Sequence, residues 1–346
     1  MAKATLHDVA AAAGVSLASA SRALSGGSAS PQMIRRVRAA ARDLNYLADS
    51  TARALRRGST RRVAFAVDDI GNPNYVAMLR AIESRFGPEG PHVSVSSTGD
   101  PSRTADWVKQ LASGATDGLI ISPIRSDDRL RRAIAASAIP VVVIGSLGDQ
   151  VNVDSVRVDS SVGVELATAH LTSLGRRSIA FVNGPLDTRP GTMRERGFFG
   201  AARKLGIPDR NVRQVVAADF TVEAGRAAAA LLFERWHRKS LLNRVDAIVA
   251  ANDLIALGVI VAATRAGLRV PEDVAVTGVD DTEFAAMYNP SLTSVSLFAA
   301  RRGQIAAELL LERFEEPNRP TRTIEVEPEL VVRHSTIGDS FERRVG

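Results

Sequence analysis

Residues 5–24 read Thr5-Leu6-His7-Asp8-Val9-Ala10-Ala11-Ala12-Ala13-Gly14-Val15-Ser16-Leu17-Ala18-Ser19-Ala20-Ser21-Arg22-Ala23-Leu24, and this stretch decides how the chain begins to fold. A hydroxyl at Thr5 with the Asp8 carboxylate three residues later is a short-armed capping box. Leu6, Val9, Ala10 and Ala13 then recur at helical spacing until Gly14 stops the helix. Val15-Ser16 supplies a turn, and Ser16 caps a second helix over about Leu17–Leu24. Gly26-Gly27-Ser28 breaks it. Ser30-Pro31 opens a third helix, a cap followed by Pro at the first helical position, where a missing N–H costs nothing. Ile34, Val37, Ala41 and Leu44 give this helix an apolar stripe, and Arg35, Arg36, Arg38 and Arg42 take its other faces.

Two short helices joined by a Gly-containing turn, with a third packed across them, predict a helix-turn-helix. In that motif the second helix enters the major groove and its N-terminal residues meet base edges. Leu17 and Ala18 can touch thymine methyl groups, and Arg22 can fork onto guanine O6 and N7. Ser16, Ser19 and Ser21 fit phosphate contacts. The competing reading places Leu17 in the core.

The charge distribution points the same way. Residues 1–60 carry one Lys and eight Arg against three Asp, a net of +6, and the whole chain of 346 residues is also +6, so the remainder is neutral. A basic head before a neutral body suggests a polyanion-binding module attached to something else; the bland alternative is a solvated basic tail. With no Cys, disulfides, thiolate metal sites and cysteine nucleophiles are excluded. The first residues lack the long apolar core of a signal peptide, and no apolar run approaches membrane-spanning length. A cytoplasmic protein with no membrane partner is expected.

From Arg62 onward, apolar runs of strand length alternate with helical patterns. Val63–Val67, Val93–Val95, Gly118–Ser122 and Pro140–Ile144 are separated by helical stretches at Tyr75–Phe86, Arg103–Ser113 and Asp127–Ser137. The rhythm restarts after Asp154. Strands at Val156–Val158, Ser178–Val182, Arg213–Ala217, Ala247–Ala250 and Val274–Val279 alternate with helices at Val162–Leu174, Met193–Leu205, Val222–Phe233 and Leu254–Ala266. Alternation of this kind gives parallel sheets. A break near residue 155 predicts two doubly wound lobes, with ligand at the carboxyl ends of the strands and a cleft that closes by a hinge.

The quoted stretch, with Leu44-Asn45-Tyr46 ending the third helix, resembles the start of the LacI/GalR family of transcriptional regulators. Ala52-Arg53-Ala54-Leu55-Arg56 resembles that family's hinge helix, in which a paired leucine wedge enters the minor groove at the operator centre. The resemblance gives Leu55 the wedge role and Arg53, Arg56 and Arg57 phosphate contacts. The full DNA-contact set it implies is Thr5, Leu6, Ser16, Leu17, Ala18, Ser19, Ser21, Arg22, Ala52, Arg53, Leu55 and Arg56. Ser19-Ala20-Ser21-Arg22 replaces the family's Thr-Val-Ser-Arg, Met33-Ile34 its Thr-Arg, and Ala48-Asp49 the Pro-Asn before the hinge. Asp49 would be repelled near phosphate.

The resemblance runs over residues 3–334. Asp69-Ile70-Gly71-Asn72-Pro73, Thr116-Asp117-Gly118, His170 to Gly175, Ala251-Asn252-Asp253 and Gly278-Val279-Asp280-Asp281 look like the family's periplasmic-binding-protein-like core. The implied fold is an all-α helix-turn-helix head (1–47) and hinge helix (48–61), then an α/β core of two doubly wound parallel-sheet lobes (62–334) and a short tail (335–346). Lobe one would hold about 62–158 and 295–320, lobe two 159–294 and 321–334. By similarity, Ala299–Phe314 returns to the first lobe and Ile324–Val332 to the second.

The effector site implied is Asn74, Tyr75, Arg194, Phe220, Asn252 and Asp280. Arg can fork onto neighbouring hydroxyls, Asp and Asn exchange hydrogen bonds, and an aromatic face covers a sugar's C–H surface. Against these roles, Asn252 could cap a helix, Phe220 could be core and Arg194 a surface ion-pair partner. Asn74 stands where the family commonly carries an aromatic, so a more polar ligand is expected. No G-x-S-x-G, P-loop or G-x-G-x-x-G is present. The five His are scattered, and the Asp280-Asp281 pair has no nucleophile beside it. No cofactor, metal or catalysis is expected. The reading is a homodimeric repressor of a palindromic operator in double-stranded DNA, tuned by a small effector, a sugar or sugar derivative. The alternatives are a solute receptor without a DNA role and an α/β enzyme with a nucleic-acid-binding extension.

Overall fold

The computed structural model describes residues 4–24, 28–46, 60–98, 101–148, 151–237 and 244–338. The chain divides into two compact units, residues 1–61 and 62–346. Among the described residues no helix is long and apolar enough to cross a membrane.

The first unit holds α1 (Leu6–Ala12), α2 (Leu17–Leu24) and α3 (Pro31–Asp43). Thr5 and Asp8 form the expected capping box: the Thr5 hydroxyl accepts from Asp8 N–H at 3.3 Å, and Thr5 N–H donates to the Asp8 carboxylate at 2.8 Å. Gly14 takes φ +60° so that Gly14 N–H reaches Ala11 O and Val15 N–H reaches Ala10 O, the paired bonds of a Schellman motif. Ser16 Oγ accepts from Ser19 N–H, and Ser30 Oγ from Met33 N–H. The core is Val9, Ala10, Ala13, Ala20, Ala23, Val37 and Ala40, small side chains that let three short helices approach closely. Arg36 ties α3 to the turn by donating to Gly14 O at 3.2 Å. Leu44, expected in the apolar stripe of α3, is instead its exposed C-cap, because the helix ends before the stripe reaches it.

The second unit holds two six-stranded sheets. The first is ordered β2-β1-β3-β4-β5-β11, with β1 (Arg62–Val67), β2 (His92–Ser97), β3 (Gly118–Ser122), β4 (Val141–Ile144), β5 (Asp154–Val158) and β11 (Thr323–Val326), all parallel. The second repeats the order as β7-β6-β8-β9-β10-β12, with β6 (Ile179–Asn183), β7 (Val212–Val216), β8 (Ala247–Ala250), β9 (Ala275–Asp280), β10 (Thr293–Ser296) and an antiparallel β12 (Glu329–Val331). Alternation in β1 builds the first lobe's two cores. Val63, Phe65 and Val67 face α4 (Pro73–Phe86) and α12 (Ala299–Glu315). Ala64 and Ala66 face α5 (Pro101–Gln110) and α6 (Asp128–Ala135). The second lobe buries one continuous core between α7 (Ser160–Ser173) with α8 (Arg189–Lys204) and α9 (Val222–His237) with α10 (Asp253–Arg265). Two short helices, α11 (Glu283–Met287) and α13 (His334–Ile337), complete it.

The lobe limits differ from those expected at two places. Val295-Ser296 belongs to β10 of the second sheet, so the return to lobe one begins after Ser296. Ile324–Val332 is divided, not wholly in lobe two. Ile324 and Val326 pair with β5 and pack on the first core, and only 329–331 join the second sheet. The physical reason is the open edge of β5, which β11 covers with a parallel ladder and an apolar face. The chain thus crosses between lobes after β5, after β10 and between β11 and β12.

Candidate functional site

In the first unit, α2 presents one side outward. Leu17 is 40% exposed, which removes the core alternative, and Ala18 and Arg22 are exposed beside it while Ala20 and Ala23 are buried. Ser16 and Ser19 are linked by a 2.9 Å hydroxyl bond, and Arg22 Nη2 reaches Ser19 Oγ at 3.4 Å, so polar groups and one apolar tip share this surface. Ser21 is half-buried. Thr5 is exposed but engaged as a cap, and Leu6 is half-buried against the core. The Thr5 backbone N–H holds the Asp8 carboxyl below its ordinary value. Ala52, Arg53, Leu55 and Arg56 lie outside the described residues.

In the second unit, the segments that follow β1, β3, β6 and β8 all face one cavity of about 750 Å³. Both sheets reverse strand order beside those strands, where ligands of doubly wound sheets bind. The crossing segments supply its remaining walls through Asp159, Leu297 and Pro328. All six expected effector residues line it.

Arg194, on α8, is 6% exposed. Its Nη1 donates to Ala251 O at 2.7 Å, its Nη2 lies 3.7 Å from Asp280 Oδ1, and its guanidinium carbon sits 5.9 Å from the centroid of the Phe220 ring. It is a buried cleft group and not a surface ion-pair partner. Asp280 ends β9 at φ +110°, an unusual conformation for a residue with a side chain, and turns its carboxylate into the cavity wall. Burial pushes the Asp280 carboxyl up, against the pull of Arg194 and Arg302. Burial pushes the Tyr75 hydroxyl up as well. Phe220 is half-buried, resting on Gly184 and facing the cavity.

Asn252 caps α10: its Oδ1 accepts from Ile255 N–H at 2.9 Å and its Nδ2 donates to Phe220 O at 3.2 Å. Both ends of the amide are therefore in use, and its first role is to fix the Phe220 loop to α10. Asp280 and Asp281 separate in function, since Asp281 accepts from Arg333 at 2.7 Å in the fold's interior scaffold. Behind Asp280, Asp253 accepts from Thr282 and Ser294, and burial raises its carboxyl to about 7. Asn74 Oδ1, Arg194 Nε and Asp280 Oδ1 are buried without a hydrogen-bond partner, which leaves one donor and two acceptors for a ligand.

The sequence reading missed two groups. Arg302, in the first turn of α12, is 6% exposed and lines the cavity. Its signal was phase, because positions 302, 306, 309 and 310 form one buried helical stripe. At the mouth, Arg125 after β3 bonds Asp187 of the other lobe at 2.8 Å and lies 3.7 Å from Asp68. Arg189 N–H donates to Ile124 O at 2.8 Å beside it. No local sequence pattern foretells these contacts between lobes.

The family described as bacterial regulatory proteins, lacI family, matches residues 5–49, and a periplasmic binding protein-like domain matches residues 168–336. The HTH-type transcriptional regulator DegA of Bacillus subtilis is 32% identical, covering 96% of this chain and 98% of its own length. A lac repressor dimer bound to operator and the anti-inducer ONPF superposes with TM-score 0.79 at 27% identity, over 97% of this chain and 99% of that one. The transcriptional regulator CelR, in complex with cellobiose, gives TM-score 0.70 at 29% identity, over 96% and 100%.

Proposed function

This chain belongs to the LacI family of DNA-binding transcriptional regulators, and from that premise we propose that it is a homodimeric repressor of a palindromic operator whose affinity is set by a sugar or sugar derivative. One observation carries the effector half: a 750 Å³ cavity whose wall holds the buried Arg194–Asp280 pair beside the Phe220 face, with unpartnered polar atoms on both charged groups. Sugar hydroxyls donate and accept from the same atom, so they can satisfy both. The ring's C–H face suits Phe220. Asn74 and Tyr75 close the site from the first lobe, and Asn252 positions the Phe220 loop.

In the proposed division of labour, residues 1–47 read the operator, 48–61 form the hinge and 62–334 bind effector and partner subunit. Leu17, Ala18 and Arg22 face bases, while Ser16, Ser19, Ser21, Thr5 and Leu6 border phosphate and backbone. Ala52, Arg53, Leu55 and Arg56 act in the hinge, with Leu55 as the minor-groove wedge. The effector shifts the operator equilibrium only as far as it binds one lobe arrangement better than the other. The ligand leaves the cavity chemically unchanged, and the protein works in the cytoplasm, beside its DNA.

The test is selection of random duplex DNA by the full chain at about 0.15 M salt, with and without a sugar panel. The expected product is a palindrome with a flexible pyrimidine–purine step at its centre, released or bound more tightly by at least one sugar. Arg22→Ala should relax preference at one base pair in each half-site by about 1–3 kcal/mol. Enrichment of no sequence under any condition would sink the reading.

A further inference from the structure

We propose that the effector carries an oxyanion, a carboxylate or phosphate on a sugar, and that Arg302 is the group that holds it. The inference rests on the cavity being the effector site and goes on to name the ligand's chemistry.

Arg194 and Arg302 are the arginines buried among the described residues. Arg194 is provided for by Ala251 O and by Asp280. Arg302 is not. Its Nε and Nη2 are buried with no hydrogen-bond partner, and no carboxylate stands within ion-pair distance of it among the described residues. Burial lowers its ordinary value to about 10, so it keeps its charge at neutral pH. Asp280 acts on it electrostatically but is already the partner of Arg194. Two buried guanidinia therefore share one carboxylate along the cavity wall. A buried charge without a counter-charge is costly, and a planar guanidinium with free N–H groups matches a carboxylate or phosphate edge.

The mouth has the opposite character. Asp69, Asp159, Asp219, Glu325 and Glu327 line it and are exposed, outnumbering Arg189, its exposed cation, and Arg125, which Asp187 and Asp68 already engage. Solvated carboxylates accept hydroxyl groups but repel an anion. The arrangement thus favours one orientation, with the ligand's oxyanion at Arg302 and its hydroxyls toward the rim.

The experiment is calorimetric titration of the full chain with neutral hexoses and pentoses, the matching uronates and aldonates, the matching sugar monophosphates, and inorganic phosphate alone. At least one acidic sugar should bind about tenfold or more tighter than its neutral parent, the size of a charge-assisted hydrogen bond. A uronate or aldonate winning assigns a carboxylate, and a monophosphate winning assigns a phosphate. In Arg302→Met and Arg302→Gln the ratio of acidic-sugar to neutral-sugar affinity should fall about tenfold, to near one. Neutral sugars binding with no acidic advantage, or an advantage that survives both variants, overturns the proposal and leaves the effector cleft standing. Inorganic phosphate matching every sugar overturns it too. Binding by no sugar takes down the effector cleft as well. A second readout needs no ligand: Arg302→Met should raise the melting temperature of the free protein, because it removes an unpaired buried charge. A fall would mean that the fold itself pairs Arg302, and would overturn the assignment.

Discussion

Arg194→Ala should leave Asp280 buried without its nearest counter-charge. The groups lie 3.7 Å apart and each is 6% exposed. At that distance a unit-charge pair is worth about 4–5 kcal/mol with an effective dielectric constant near 20. The loss cannot all appear as instability, because Asp280 can take up a proton instead. Holding a carboxyl protonated costs about 1.4 kcal/mol for each pH unit above its ordinary 3.8. The ceiling is therefore about 4 kcal/mol at pH 7 and about 1.6 kcal/mol at pH 5. Arg302 still faces Asp280 and lowers both figures. The sign follows from linkage. A carboxyl raised in the folded state stabilises fully below its unfolded value and loses that contribution as pH climbs through the folded one, so the deficit must widen with pH. Asp280 is already raised in the parent protein, hence the difference between the two proteins is the quantity to read. Urea unfolding of parent and variant should show a deficit of about 2–4 kcal/mol at pH 7, at least halved at pH 5. Arg194→Ala with Asp280→Asn should recover most of it. An equal deficit at both pH values would place the loss in the bond to Ala251 O and refute the charge argument.

Three further outcomes are expected. Arg125→Ala removes an ion pair between lobes whose Asp187 end is largely exposed, a contact worth about 0.2–1 kcal/mol, so effector affinity should fall no more than about fivefold and less at high salt; a hundredfold loss in a binding titration would show that Arg125 touches the ligand. Asp253→Asn removes a carboxyl raised to about 7, so the variant's stability relative to the parent should grow between pH 5 and 8, and parallel curves would exclude the assignment. Gly258→Ala would drive a methyl group to 2.2 Å from Val222 O where α9 and α10 cross, costing about 1–3 kcal/mol of overpacking, partly offset by better helix propensity; an unchanged melting temperature would mean that the helices separate freely.

How far the sequence could be read depended on whether a signal was local. The starts of the first and third helices and the turn after the first were legible because they are set by groups a few positions away: Thr5 with Asp8, Gly14 in the left-handed region, Ser30 before Pro31. The first nine strands, β1 to β9, were legible because each holds a short aliphatic run between turns. Thr293–Ser296, Thr323–Val326 and Glu329–Val331 are polar and short, and they exist as strands because an open sheet edge is there to receive them. That is why the sequence puts the lobe boundary at residue 320, whereas lobe one keeps the chain through Val326.

The cleft shows the same division more sharply. Arg194, Phe220 and Asn252 lie in segments that follow strands and Asp280 ends β9, so topology brings them together once the alternation is seen. Arg302 belongs to no such rule. In Arg301-Arg302-Gly303 two adjacent arginines look like one solvated pair, yet successive helix positions are about 100° apart. Arg301 is exposed and Arg302 buried because Ala306, Leu309 and Leu310 fix which face of the helix meets the sheet. The residue type argued for the surface while the helical phase argued for the interior. When phase wins against a charge, the fold accepts a cost that a ligand can relieve. A charged residue in phase with an apolar stripe is therefore where a binding group should be sought before the structure is known.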